Sequence, residues 1–198
     1  VSATAEAHAP SHEHRTATGV PNYKLGMWLF LASEVMFFTG LVGSYVVLRL
    51  GSRDWPEPSS ILGINVLAFN TFVLITSSVT MALGLQAARE GQRGRLVRFM
   101  LATAALGLTF LTIKLVDYHH LIGEGFTISA SLFGSCYYML TGFHGLHVFS
   151  GVVALVTIAL KNHRSKDPID TEPVEVVGLY WHFIDLVWIV LFAILCLA

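Results

Sequence analysis

Five stretches of this chain are each long and apolar enough to cross a lipid bilayer, and that constrains its fold more than any other feature. They run over residues 24–50, 61–88, 96–116, 131–160 and 176–198. About 20 apolar residues span the hydrocarbon core. Lipid offers no hydrogen-bond partner, so each stretch must satisfy its own backbone as a helix. The predicted fold is therefore an all-α integral membrane protein, a bundle of five transmembrane helices. With 54% hydrophobic and 13% charged residues, the composition belongs to that class. A net charge of −1 excludes nucleic acid as a partner by electrostatic attraction. Cys136 and Cys196 both lie in apolar runs, which suggests membrane-buried thiols rather than a disulfide framework.

The chain divides into a polar tail over 1–23, expected to be disordered, and one membrane domain over 24–198. The tail is rich in Ala, His, Thr and Pro and has no apolar core, so it does not read as a secretory signal. Its His8, His12 and His14 are read as solvated. Between the spans lie a turn with Trp55 and two prolines (51–60), a basic loop (89–98), a short polar loop (119–127) and a charged loop (161–175). Placing the N-terminus inside puts Arg15, Lys24, Arg89, Arg93, Arg95, Arg98, Lys161, Arg164 and Lys166 on the cytoplasmic side. Only Arg49, Arg53 and Lys114 stay outside. That asymmetry predicts a cytoplasmic N-terminus and an outer C-terminus. Small residues at helical spacing (Ser33, Gly40 and Ser44; Ser77, Thr80 and Gly84; Gly134, Thr141 and Gly145) are expected to face neighbouring helices.

Ionisable residues inside the spans narrow the function. Glu34 interrupts the apolar run 25–48, and a carboxylate there costs a few kcal/mol on insertion scales. The fourth span carries His144 and His147, three apart, with Gly151 a turn further on. The fifth carries His182 and Asp185 at the same spacing, flanked by Trp181 and Trp188. At about 1.5 Å per residue, Glu34 lies ~15 Å from the cytoplasmic end, Asp185 ~13 Å and His147 ~20 Å. One shared polar layer of Glu34, His144 or His147, His182 and Asp185 is therefore expected. Such an inventory could serve a metal or haem site, or each histidine could hydrogen-bond to a neighbouring helix. Lys114 and Asp117, near the outer end of the third span, are expected to snorkel to the interface and pair with each other or with lipid phosphate. His119 and His120 lie just beyond and are read as solvated. No phosphate-binding glycine loop, nucleophile elbow, CxxC or HExxH is present.

Three motifs then converge. SEVMFF (33–38), FHGLHVFSG (143–151) and GLYWHFIDLVWIVLF (178–192) resemble subunit III of the haem–copper terminal oxidases, in order and on the right spans. The resemblance covers all five spans and matches a five-span bacterial form that lacks the first two helices of longer members. It implies an accessory subunit in the bacterial inner membrane, part of a proton-pumping oxidase that reduces oxygen to water. Haems and copper would reside in subunits I and II, so no residue here is assigned a catalytic, cofactor-binding or metal-binding role. The resemblance also implies direct packing on subunit I, association with subunit II and with subunit IV or a larger supercomplex, and bound phospholipid.

Its implied roles are stabilising the catalytic subunit and sustaining proton uptake. Glu34, His144, His147, His182 and Asp185 are read as intramembrane polar groups of functional or structural use, and Lys114, Asp117, Trp181 and Trp188 as lipid or interface contacts. Glu34, in the family's intramembrane glutamate position, is expected to be a neutral hydrogen-bond donor near subunit I rather than an obligatory proton relay. Cytochrome c is the expected electron donor, with a quinol as the alternative. A proton or ion transporter and a small membrane cytochrome are the readings from other classes.

Overall fold

The computed structural model describes residues 21–53, 55–56 and 63–197. The expected tail therefore lies outside the described residues up to residue 20, whereas residues 22 and 23 are already helical. Five helices follow in order: α1 Asn22–Gly51, α2 Ile64–Arg89, α3 Arg93–Gly123, α4 Leu132–Arg164 and α5 Glu172–Phe192. The last continues as a π-helical turn, Ala193–Leu197. All five are long and apolar enough to cross a membrane, and no strand occurs among the described residues.

Local chemistry sets the helix ends. The connection from α2 to α3 is only three residues, because Gly91 takes a left-handed φ of 70°. That lets Gln92 N–H reach the Ala87 carbonyl at 2.9 Å and Gly91 N–H reach the Ala88 carbonyl at 3.1 Å. This pair of bonds is a Schellman cap. The same device closes α3, with Gly125 at φ 83° and Phe126 N–H on the Leu121 carbonyl at 2.9 Å. Ser131 caps α4 by accepting from Gly134 N–H at 2.9 Å. The expected basic loop is thus mostly helix: Arg93, Arg95 and Arg98 all sit on the first turns of α3. Likewise His119 and His120 lie on the last turns of α3, exposed as expected but still helical.

In the bundle, α3 packs between α2 and α4, α5 lies across both α2 and α4, and α1 docks on α5 and α4. The small residues of α2 do face α3. Thr80 Oγ1 lies 2.8 Å from Thr103 Oγ1, and a Cβ on Gly84 would meet Phe99 Cβ at 3.4 Å. Those of α1 do not face the bundle. Ser33 and Ser44 are exposed and bond carbonyls of their own helix, and a Cβ on Gly40 would meet nothing within 4 Å.

The core is centred on Trp181, Trp188, Phe110, Tyr137 and Phe133, all essentially inaccessible. Trp181 and Trp188 are therefore not lipid or interface contacts, contrary to the sequence expectation. Tryptophan in a transmembrane helix reads as an interface anchor from composition, but a buried N–H partner removes the need for water. Trp181 donates to Ser77 Oγ at 3.0 Å, and Trp188 donates to Thr71 Oγ1 at 2.9 Å.

Candidate functional site

The intramembrane polar groups fall into three separate clusters rather than one layer. In the first, α1 and α4 meet at Glu34 and His147, with Oε2 3.0 Å from Nε2. His147 Nδ1 lies 2.7 Å from the Phe143 carbonyl one turn back in α4. A carbonyl can only accept, so Nδ1 must carry a proton. One further proton then lies between Nε2 and Oε2, whichever of the two atoms holds it. Phe37 and Phe38 pack on the imidazole, and both side chains of the pair remain about one-sixth exposed. Close by, Ser150 Oγ lies 2.7 Å from Tyr180 Oη, linking α4 to α5.

The second cluster joins α2 to α5. Ser78 Oγ donates to Asp185 Oδ2 and lies 2.9 Å from His182 Nδ1. With its single proton on Asp185, the hydroxyl accepts from His182, which fixes the proton on Nδ1. Asp185 is buried, and its Oδ1 has no partner among the described residues. His182 and Asp185 are thus joined through Ser78, a residue that sequence reasoning did not single out. A lone serine in an apolar helix carries no signal until its neighbour is known.

The third cluster shows Lys114 and Asp117 paired with each other, as expected, but inside the bundle rather than at the interface. Lys114 is 4% exposed and does not snorkel out. Its Nζ lies 3.0 Å from Asp117 Oδ2 and 2.5 Å from Tyr137 Oη, and Tyr137 also donates to Asp117 at 3.0 Å. The rings of Tyr118, Tyr137 and Trp188 surround the ammonium at 4.6 to 5.8 Å. A buried cation is tolerable when a carboxylate and ring faces replace its water. The pair is interior and not a lipid contact.

His144 joins none of these. It is fully buried, stacked on Trp188 at 5.0 Å and edge-on to Phe110 at 5.7 Å, and neither ring nitrogen has a partner among the described residues. Although only three residues from His147, it turns toward α3 and α5 while His147 turns toward α1. The three intramembrane histidines therefore go to three different places. Among the described residues no group of three His, Cys, Asp or Glu side chains is gathered for a metal ion. No two of these histidines face each other across a gap as bis-histidine haem ligation requires.

Comparison with known proteins assigns this architecture. Residues 4–197 match the family model described as Cytochrome c oxidase subunit III. The chain is 40% identical to a probable cytochrome c oxidase subunit 3 of Nocardia farcinica, over 85% of this chain and 84% of that protein. It is 33% identical to cytochrome c oxidase subunit 3 of Alkalihalophilus pseudofirmus, over 95% and 92%. It is also 32% identical to the cytochrome bo(3) ubiquinol oxidase subunit 3 of Pseudomonas aeruginosa, over 98% and 93%. The chain belongs to the cytochrome c oxidase subunit III family, accessory membrane subunits of the respiratory haem–copper oxidases.

Proposed function

We propose that this subunit serves a proton-pumping oxidase that takes electrons from cytochrome c, stabilises its catalytic subunit and sustains proton uptake, while holding no redox centre itself. The supporting observation is how the intramembrane charges are satisfied. Glu34 pairs with His147, Asp185 and His182 pair with Ser78, and Asp117 pairs with Lys114, each across or along helices of this one chain. Groups already used to join helices are suited to holding a scaffold rigid, not to ligating a cofactor.

Subunit I is the proposed direct partner, and α1 is the proposed contact. Only 6% of its most apolar window is buried within the chain, against 33–44% for the other helices. Its outward side carries Met36 and the small residues Ser33 and Gly40, which allow close helix approach. Subunit II, subunit IV and a larger respiratory assembly complete the proposed surroundings. The site is the bacterial inner membrane, with a polar segment preceding α1 and the N-terminus in the cytoplasm. The basic residues support that orientation, and burial of Lys114 removes one of the three cations counted against it.

The test is a mild-detergent purification through a C-terminal tag, with reduced-minus-oxidised spectra before and after the partners are stripped. Haem in the mild eluate and a colourless stripped chain are expected. A stripped chain that keeps haem would overturn the assignment in favour of a small membrane cytochrome. The match to a ubiquinol oxidase subunit makes quinol the second donor to assay. Oxidation of quinol but not of reduced cytochrome c by the purified complex would transfer the reading to that branch.

A further inference from the structure

Two openings follow one another along the seam between α1 and α5, from the N-terminal ends of both helices toward their middles. The first, of about 230 Å³, is lined by Lys24 and Trp28 on α1, Leu179 and His182 on α5, and Met81 and Leu85 on α2. The second, of about 200 Å³, is walled by Thr39 and Val42 on α1 and by Leu186 and Val190 on α5. The lining positions recur at helical spacing on each helix, so both openings lie on one side of the seam. They form a single trough with α1 and α5 as its walls.

An ionic lock closes the mouth. Glu175 on α5 pairs with Lys24 of α1 at 2.6 Å and with Arg89 of α2 at 3.0 Å, tying the three helices together there. Beyond that lock, His182 is the one titratable side chain on the trough among the described residues, and it is exposed. Its Nδ1 carries the proton shared with Ser78 Oγ at 2.9 Å, which leaves the lone pair of the neutral ring on Nε2. Nε2 has no hydrogen-bond partner among the described residues. The residue lies about 9 Å inside the apolar run that begins at 176. At that depth acyl chains and ester carbonyls offer no donor, and an unmet acceptor in hydrocarbon is unfavourable.

We propose that this trough receives a transmembrane helix of a partner chain, and that a side-chain O–H or N–H of that helix donates to His182 Nε2. The occupant is an apolar helix with one donor (Ser, Thr, Asn, Gln, Tyr or Trp) level with His182. Exposed Leu186 (61%), Ile189 (48%) and Val190 (43%) continue an apolar surface past His182 for the rest of that helix. Packing between apolar helices in lipid leaves them free to slide and rotate, whereas one hydrogen bond fixes their register. The proposal rests on the reading of the chain as one subunit of a larger complex. It adds the surface and the group by which a neighbour is recognised.

The experiment uses the intact purified complex with a photo-cross-linking residue in place of Leu186. Adducts to a transmembrane segment of another chain are expected, and adducts to lipid alone would overturn the proposal. Two variants then separate the ring nitrogens. His182→Asn keeps a donor at the place of Nδ1 but has nothing at Nε2, whereas His182→Gln puts its amide at Nε2 and loses Nδ1. Asn should lower retention of the subunit through detergent washing about threefold, the size of a hydrogen bond between membrane helices, and weaken the adduct. Gln should keep most of both. The reverse order would mean that only the bond to Ser78 matters, and would overturn the proposal. So would a density map with water on Nε2 and no helix against Leu186. A complex that gives the helix adduct but contains no haem would remove the oxidase reading and leave the trough assigned.

Discussion

The indole of Trp181 occupies the space that a side chain at Gly107 would need. A Cβ there would come within 2.6 Å of Cη2 and within 2.9 Å of Val152 Cγ2. On the opposite wall, a Cβ at Gly151 would meet Trp181 Cε3 at 2.9 Å. With its N–H on Ser77, this one ring on α5 is wedged between α3 and α4 and bonded to α2. It forms the joint of the four-helix part of the bundle.

Gly107→Ala should therefore destabilise the subunit. Alanine favours a helix by roughly 0.5–1 kcal/mol over glycine, but overpacking a tight core costs about 1–3 kcal/mol. The clash wins, so earlier thermal loss of the subunit from the complex is expected. Equal or higher thermal stability of the variant would show that the slot relaxes freely.

Gly40→Ala provides the opposite case. Nothing within the chain lies near its Cβ, so the isolated subunit should be unaffected or stabilised by up to about 1 kcal/mol. In the assembled oxidase the same variant should weaken subunit retention, because the proposed α1 contact depends on close approach. Unchanged retention would remove this side of α1 from the interface.

The Glu34–His147 pair can be weighed by a double-mutant cycle on Glu34→Gln and His147→Gln, read as resistance of the subunit to detergent dissociation. A coupling of about 1 kcal/mol is expected, in line with hydrogen bonds measured between membrane helices. Additive losses would mean that the two side chains act independently. Loss of proton pumping in Glu34→Gln with normal stability would instead make Glu34 a relay.

Lys114→Met should be the most damaging of these changes. Removing one partner of a buried pair leaves an uncompensated charge and costs about 3–5 kcal/mol. Lys114→Met with Asp117→Asn should recover much of that loss, because no charge then stays unpaired. A double variant as unstable as the single one would show that the aromatic cage, not the ion pair, carries the stability.

Ser78→Ala should cost about 1–3 kcal/mol, since the Asp185 carboxylate and His182 Nδ1 lose their shared partner together. Adding Asp185→Asn should relieve part of it. Subunit retention reads both, and a neutral Ser78→Ala would mean that water replaces the hydroxyl at no cost.

Five helices, their approximate places and the family resemblance were all legible in the residues. Hydropathy alone dictates that twenty-odd apolar residues become a helix in lipid, and three motifs in order leave little room for coincidence. Helix ends were less legible. Arg93 to Arg98 read as a loop because they are charged, whereas a Schellman cap at Gly91 had already turned the chain into α3.

What one dimension cannot carry is which side of a helix meets which neighbour. His144 and His147 look alike at a spacing of three, yet one stacks on Trp188 and the other reaches Glu34. Lys114 reads as a snorkelling cation until Tyr137 and Asp117 close over it. Trp181 and Trp188 read as interface anchors until Ser77 and Thr71 supply partners for their N–H groups. Hydrophobicity is a property of each residue and its immediate run, so the sequence by itself determines the spans. Burial and pairing depend on helix rotation and packing between segments more than a hundred residues apart, and only the tertiary structure decides those.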